Sequence, residues 1–159
     1  MSTFHLQIVT PDGGFYDGEA EKLIVRAIDG NVCILPRHSP YVSALGTGEA
    51  CAVIDGQRRR AACAGGMLAV TKDNVRLVAT TFEWAEDIDE GRAQRAKERA
   101  EDVLQKATEK AEIDRAQAKL KRALTRLSVT ARRTIFSILI RNKPPGPALK
   151  ERVSRWLFL

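Results

Sequence analysis

Residues 75–107, VRLVATTFEWAEDIDEGRAQRAKERAEDVLQKA, decide the fold, because the apolar period changes within them. Val75 to Thr80 reads as a strand. After Trp84 the apolar positions fall instead at Ile88, Ala93, Ala96, Ala100, Val103, Leu104 and Ala107, the stripe of an amphipathic helix. Asp87 stands three residues before Glu90, a capping-box spacing that predicts a helix starting there.

Upstream of this change the chain reads as short strands separated by turns. Phe4, Leu6 and Ile8 alternate with His5, Gln7 and Val9, and Asp12-Gly13-Gly14 closes that strand. Further runs are predicted at Leu23 to Ile28, Val32 to Leu35, Tyr41 to Leu45, Glu49 to Ile54, Gln57 to Ala64 and Met67 to Thr71. Asp55-Gly56 is a two-residue hairpin signal, since both central positions of the favoured turn need positive φ. Short strands without intervening helices predict an antiparallel β-sandwich or flattened barrel.

Downstream, Ala116, Leu120, Ala123, Leu124, Leu127 and Ala131 form a second helical stripe, and Ile135 and Ile138 continue it toward Asn142, before Pro144 and Pro145. The segment between the stripes, ATEKAEI, contains no Gly or Pro, so propensity leaves open two helices or one long one. Composition changes at the same place. Nine of the 11 glycines precede residue 85, and the next fifty residues hold one. The expected organisation is a β-sandwich domain at 1–85, a helical domain at 86–133 and a basic, apolar C-terminal extension at 134–159 of unassigned role.

Charge narrows the function classes. The formal net charge is +6, and the excess is C-terminal: from Arg115 to Lys150 there are ten Lys or Arg and no acid. Such a run is a solvated face or a surface for an acidic partner. The rival reading is a nucleic-acid-binding protein using residues 115–150. Aromatic stacking platforms are missing there apart from Phe136, so no nucleic acid is expected. No apolar window is long enough to span a bilayer, and the N-terminal residues lack the pattern of a secretory signal. Cys33, Cys51 and Cys63 lack the paired spacing of a metal or redox motif and are expected as small core residues; no metal site is expected. His5 and His38 have no sequence-evident catalytic partner, and Gly65-Gly66 is not followed by Lys-Ser or Lys-Thr. An enzyme is not expected, and no cofactor is required.

Several segments, in this order and spacing, resemble the epsilon subunit family of bacterial-type F-type ATP synthase. They are FHLQIVTPDG, LPRHSP followed by Tyr41 to Gly48, Gly65-Gly66 before a strand, and IDEGRAQRAKERAED with its IDxxRA string. The resemblance covers residues 1 to about 133; Arg37 stands where the family's loop usually has glycine, Cys33 replaces a position often small, and residues 134–159 have no counterpart. It implies a β-sandwich followed by a two-helix hairpin, in a non-catalytic rotor subunit lying peripherally at the cytoplasmic face of the inner membrane. The implied partners are the gamma subunit and c-ring, with the catalytic alpha and beta subunits met when the hairpin extends. The implied rotor-ring contacts are Asp29, Gly30, Asn31, Val32, Cys33 and His38. Regulatory ATP would be held by Ile88, Asp89, Arg92, Arg99, Arg122 and Arg126, with Asp89 accepting from the adenine amino group and the arginines neutralising phosphates. Arg115, Lys119, Arg122 and Arg126 share one helical face, and the resemblance makes that face inhibitory toward ATP hydrolysis.

Overall fold

Alternation in the first half becomes eight strands: β1 (Phe4–Thr10), β2 (Gly13–Ala20), β3 (Lys22–Ala27), β4 (Gly30–Ile34), β5 (Tyr41–Ala44), β6 (Thr47–Ile54), β7 (Gln57–Val70) and β8 (Asn74–Trp84). Two helices follow, α1 (Glu90–Lys106) and α2 (Lys110–Arg141). The computed structural model describes residues 2–72 and 74–141. The expectations for the tail beyond Arg141 lie outside the described residues.

The strands hydrogen-bond in the order β2-β1-β8-β7-β6-β3-β4, with β5 also pairing β7. All pairings are antiparallel except β1 with β8, which is parallel. The β7–β8 ribbon turns the corner of the sandwich. Along β7 the inward positions are Ala61 and Cys63, then Leu68 and Val70; along β8 they are Val75, Leu77 and Ala79, then Phe82 and Trp84. Each strand thus exchanges its inner and outer faces at Gly65-Gly66 or Thr80-Thr81. Gly65 and Gly66 both have positive φ, and a Cβ at Gly66 would lie 1.9 Å from the Val78 carbonyl oxygen. Only glycine fits that crossing.

The core is closed by Leu6, Ile8, Leu23, Ile34, Leu68 and Leu77, all fully buried, each contributing about 1.5–3 kcal/mol on burial. Phe82 and Trp84 pack edge to face, with centroids 5.0 Å apart. The Arg59 guanidinium lies 4.1 Å over the Trp84 ring and bonds Glu86, which ties the end of β8 to the segment leading into α1. At the predicted β6–β7 turn, Asp55 and Gly56 both adopt positive φ. Among the cysteines the expectation of core residues holds for Cys63, whose thiol is pushed up to about 12 by burial. Cys51 is half-buried and Cys33 exposed, because Cys33 occupies an outward position of β4.

Arg37 has φ 64, a left-handed conformation that costs a non-glycine residue about 1 kcal/mol or more. Arg37→Gly relieves that cost while adding flexibility to the unfolded chain. The expected net result is stabilisation of up to about 1 kcal/mol, read as a higher urea midpoint at unchanged slope. A lowered midpoint would show that the Arg37 side chain stabilises the loop by contacts of its own.

The helical half forms a hairpin. α1 is capped by Asp89, whose Oδ1 accepts from the Arg92 amide at 2.9 Å, and Asp87 instead donates its amide to the Trp84 carbonyl in the turn before it. The predicted cap at Asp87 is therefore two residues early, since a capping carboxylate must reach the amide three residues on. Ala107 leaves helical geometry at ψ 133, and a new helix starts after Thr108 and Glu109. Buried alanines, Ala93 and Ala100 on α1 and Ala116 and Ala123 on α2, let the two helices approach closely. Val103 and Leu124, both placed in the predicted stripes, are exposed. α2 then lies across the sandwich, with Val129 buried against Ala62 and Ala85 and with Ile88 beside them.

Candidate functional site

The chemistry of the helical half gathers along one line, where α1, α2 and the outer face of β8 meet. Between the helices lies an open cleft of about 660 Å³, lined by Arg99 and Glu112, by Arg115, Lys119, Arg122 and Arg126, and floored by the small residues Ala96, Ala100, Ala116 and Ala123. Helical spacing produces this lining: Arg115, Lys119, Arg122 and Arg126 recur at four, three and four residues and so share one edge of α2. Alanines on the adjoining face set the helices close while leaving room above them. A second recess of about 380 Å³ adjoins it at the base of the hairpin, lined by Glu83, Asp87, Asp89, Arg92, Ala93, Ala96, Arg99 and Arg126.

Four of the six residues expected for a nucleotide, Asp89, Arg92, Arg99 and Arg126, therefore surround the recess, while Arg122 lines the neighbouring cleft. Ile88 lines neither. It packs against Ala62, Ala85 and Val129, where it helps to seat the hairpin on the sandwich. Asp89 has a structural duty in its cap through one oxygen, and the residue also lines the recess. Arg126 is engaged with both oxygens of Glu83, Nε to Oε2 and Nη2 to Oε1, each 2.9 Å. Such a bidentate fork is the stronger form of ion pair, and both side chains are half-buried. Arg92, Arg99, Arg115, Lys119 and Arg122 make no ion pair among the described residues. Five cations line the cleft against one acid, Glu112, and a polyanion seated between them would relieve their mutual repulsion. Volumes of this size suit a nucleotide-sized ligand.

Glu83, Asp87 and Glu112 are the charged members of this site that sequence reasoning missed. Glu83 alternates with the core residues Phe82 and Trp84, and that outward position was its only signal. Its partnership with Arg126 spans 43 residues and has no local signature.

The residues expected at the rotor ring lie on two connected segments. Asp29 lies in the β3–β4 turn, Gly30 and Asn31 open β4 paired with Ala27 and Arg26, Val32 packs against the core and Cys33 faces out from β4. His38 is held in the next loop by its amide on the Leu35 carbonyl at 3.1 Å, with its ring 6.1 Å from that of Tyr41. Both segments border β5, whose Ala44 carbonyl accepts from the Ile28 amide at 3.1 Å. Ile28, Leu35 and Val42 on these segments are at least half exposed, an apolar surface that the polar turn motifs did not reveal.

Comparison with known proteins adds to this geometry. Residues 3–85 match the family model described as the beta-sandwich domain of the ATP synthase delta/epsilon chain, and residues 86–131 match that family's long alpha-helix domain. The chain is 46% identical over 129 residues to the ATP synthase epsilon chain of Bacillus velezensis, covering 81% of this chain and 98% of that one. It is 41% identical over 130 residues to the epsilon chain of Ruminococcus albus, covering 81% and 97%. In fold it is similar to a chain of the Euglena gracilis mitochondrial ATP synthase, with a TM-score of 0.68, 18% identity and coverage of 76% and 77%.

Proposed function

Since the chain belongs to the ATP synthase delta/epsilon family and is an epsilon-type subunit of the central stalk, we propose that its helical hairpin regulates ATP hydrolysis by the complex. In this reading the sandwich of residues 1–85 joins the gamma subunit to the c-ring, and the hairpin of 86–133 carries the regulation. The observation that supports it is that one set of side chains serves two purposes. Arg115, Lys119, Arg122 and Arg126 line the interhelical cleft while the hairpin is folded. When the helices separate, the same four cations are presented to acidic surfaces of the catalytic subunits. The two uses exclude each other.

ATP suits the folded form. Arg92, Arg99 and Arg122 offer guanidinium donors for phosphate, and the second Asp89 oxygen offers an acceptor for an exocyclic amine. Arg126 must share its fork between Glu83 and phosphate, so nucleotide binding and the Arg126–Glu83 pair are coupled. ATP shifts the hairpin only by its difference in affinity for the two forms, and the cleft exists only in the folded one. The nucleotide is regulatory and unhydrolysed, and the subunit performs no catalysis itself.

On the sandwich, the exposed Ile28, Leu35 and Val42 beside Asp29 and His38 support a ring-facing end, with the subunit held peripherally at the cytoplasmic face of the membrane. Among the described residues no helix is long and apolar enough to cross a membrane.

The test separates ligand contact from capping. Asp89→Ser retains an N-cap oxygen but not the carboxylate, whereas Asp89→Ala loses both, at a cost of about 1 kcal/mol to the helix. Both variants are expected to lose ATP-dependent compaction of the hairpin, measured as a label distance between Gln94 and Lys121, while only Asp89→Ala loses helix content. Parent-like compaction in Asp89→Ser would remove Asp89 from the ligand site.

A further inference from the structure

We propose that Glu49 is a clasp that holds the folded hairpin on the sandwich, with Arg132 as its hairpin partner, so that docking is set by an ion pair separate from the nucleotide-lined cleft. Glu49 lies on β6 and is only 21% exposed. One of its oxygens accepts from the Arg60 guanidinium of β7, and the other accepts from Arg132 Nη1 at 3.1 Å. Arg60 therefore holds the carboxylate in place from within the sandwich, and Arg132 reaches it from the helix. The two arginines use different oxygens, so neither displaces the other.

Position along α2 gives the contact leverage. The helix meets the sandwich at Arg126 on β8, Val129 on β7 and Arg132 on β6, three residues at successive intervals of three crossing three neighbouring strands. The apolar part of this seat is small. It rests on Ala62, Ala85, Ile88 and Val129, so polar contacts at its two ends weigh more in holding it than they would over a large core. Arg126 at one end lines the cleft and the recess. Arg132 lines neither, and it lies one residue past the end of the matched helix domain at 131. The Glu49–Arg132 pair thus biases the hairpin toward the sandwich whether or not the cleft is filled. Its release favours undocking, and its exposed arginine makes it sensitive to salt.

Labelling of a cysteine beneath the helix measures this in the full chain. Ala64 is buried on the outer face of β7, beside Arg122 and Thr125 of α2. Ala64→Cys is introduced with Cys33, Cys51 and Cys63 replaced by Ser, Ala and Ala, and thiol labelling then reports the undocked fraction even when that fraction is small. Arg132→Ala and Glu49→Gln are each expected to speed labelling about 2- to 5-fold at low salt, the range of a partly exposed pair. The double variant should be no faster than the faster single one, and the differences should vanish near 1 M salt. Glu49→Gln also weakens the Arg60 contact, so Arg132→Ala, which leaves the sandwich intact, is the decisive variant. In a parallel protein that keeps Ala64 and Cys63 and replaces only Cys33 and Cys51, labelling of the native Cys63, buried in the core, reports opening of the sandwich itself and should be unchanged by Arg132→Ala. An unchanged rate at position 64 in Arg132→Ala, single effects that multiply in the double variant, or equal acceleration at Cys63 would each overturn the clasp.

Discussion

Replacing Arg115, Lys119, Arg122 and Arg126 together with Ala is expected to raise ATP hydrolysis by the reconstituted complex by about tenfold or more over that with the parent subunit under inhibiting conditions. Each charge-assisted contact to an acidic partner contributes on the order of 0.5–1 kcal/mol at a partly exposed interface, and four lost together weaken the inhibited state by about 2 kcal/mol or more. Helix content should persist, because alanine is the best helix former. Arg126 complicates the quadruple change, since its removal also leaves Glu83 without its bidentate partner and loosens the hairpin's seat. The triple variant Arg115→Ala, Lys119→Ala, Arg122→Ala leaves that pair in place and should still relieve most of the inhibition. Salt should lower inhibition by the parent far more than by either variant. If the quadruple variant inhibits as strongly as the parent, apolar packing by Leu120, Leu124 and Leu127 must supply the contact. Leu124, exposed on the folded hairpin, would be its leading member.

The largest effect on stability is expected at the sandwich corner. A Cβ at Gly66 would overlap the Val78 carbonyl oxygen at 1.9 Å and approach the Ala79 Cα at 2.8 Å, both backbone atoms that no rotamer change can move. Gly66→Ala must therefore break the β7–β8 ladder at the bend or displace it, at a cost of about 4 kcal/mol or more, a large share of the ~5–15 kcal/mol of a typical domain. Gly56→Ala is the control. It has positive φ as well, but nothing lies within 4 Å of its added Cβ. It should cost only the left-handed strain of about 1–2 kcal/mol. Thermal unfolding of the two variants compares them directly. Similar melting temperatures for both would mean that the corner can relax, and that conformation rather than close approach makes glycine necessary there.

Side-chain period made the two halves of the fold legible, and the places where it failed have local physical reasons. β2 was unread because its sequence, GGFYDGEA, sends most side chains outward and buries only Ala20. A strand whose inner face is mostly unfilled has no apolar period to detect. β7 read as two runs because its buried face changes at Gly65-Gly66, so the alternation slips by one in the middle of a continuous strand. The capping residue was misplaced between two aspartates, Asp87 and Asp89, which differ only in which amide each can reach. The hairpin itself rested on resemblance, because nothing in ATEKAEI forbids a continuous helix. At the candidate site, the basic edge of α2 was legible from spacing alone. That this edge faces α1 across a cleft depended on the small alanines opposite it, which the stripe had marked only as weakly apolar. The acidic partners, Glu83 for Arg126 at the site and Glu49 for Arg132 outside it, lie 43 and 83 residues from their arginines, and only the packed structure brings them together.

The central claim is that folding of the hairpin and inhibition compete for the same cations. Its most direct test is the distance between labels at Gln94 on α1 and Lys121 on α2, measured in the assembled complex while ATP hydrolysis is followed in the same sample. The account predicts a short distance and active hydrolysis when ATP fills the cleft, and a long distance whenever the complex is inhibited. A complex that is fully inhibited while the two helices remain at their folded separation would contradict it.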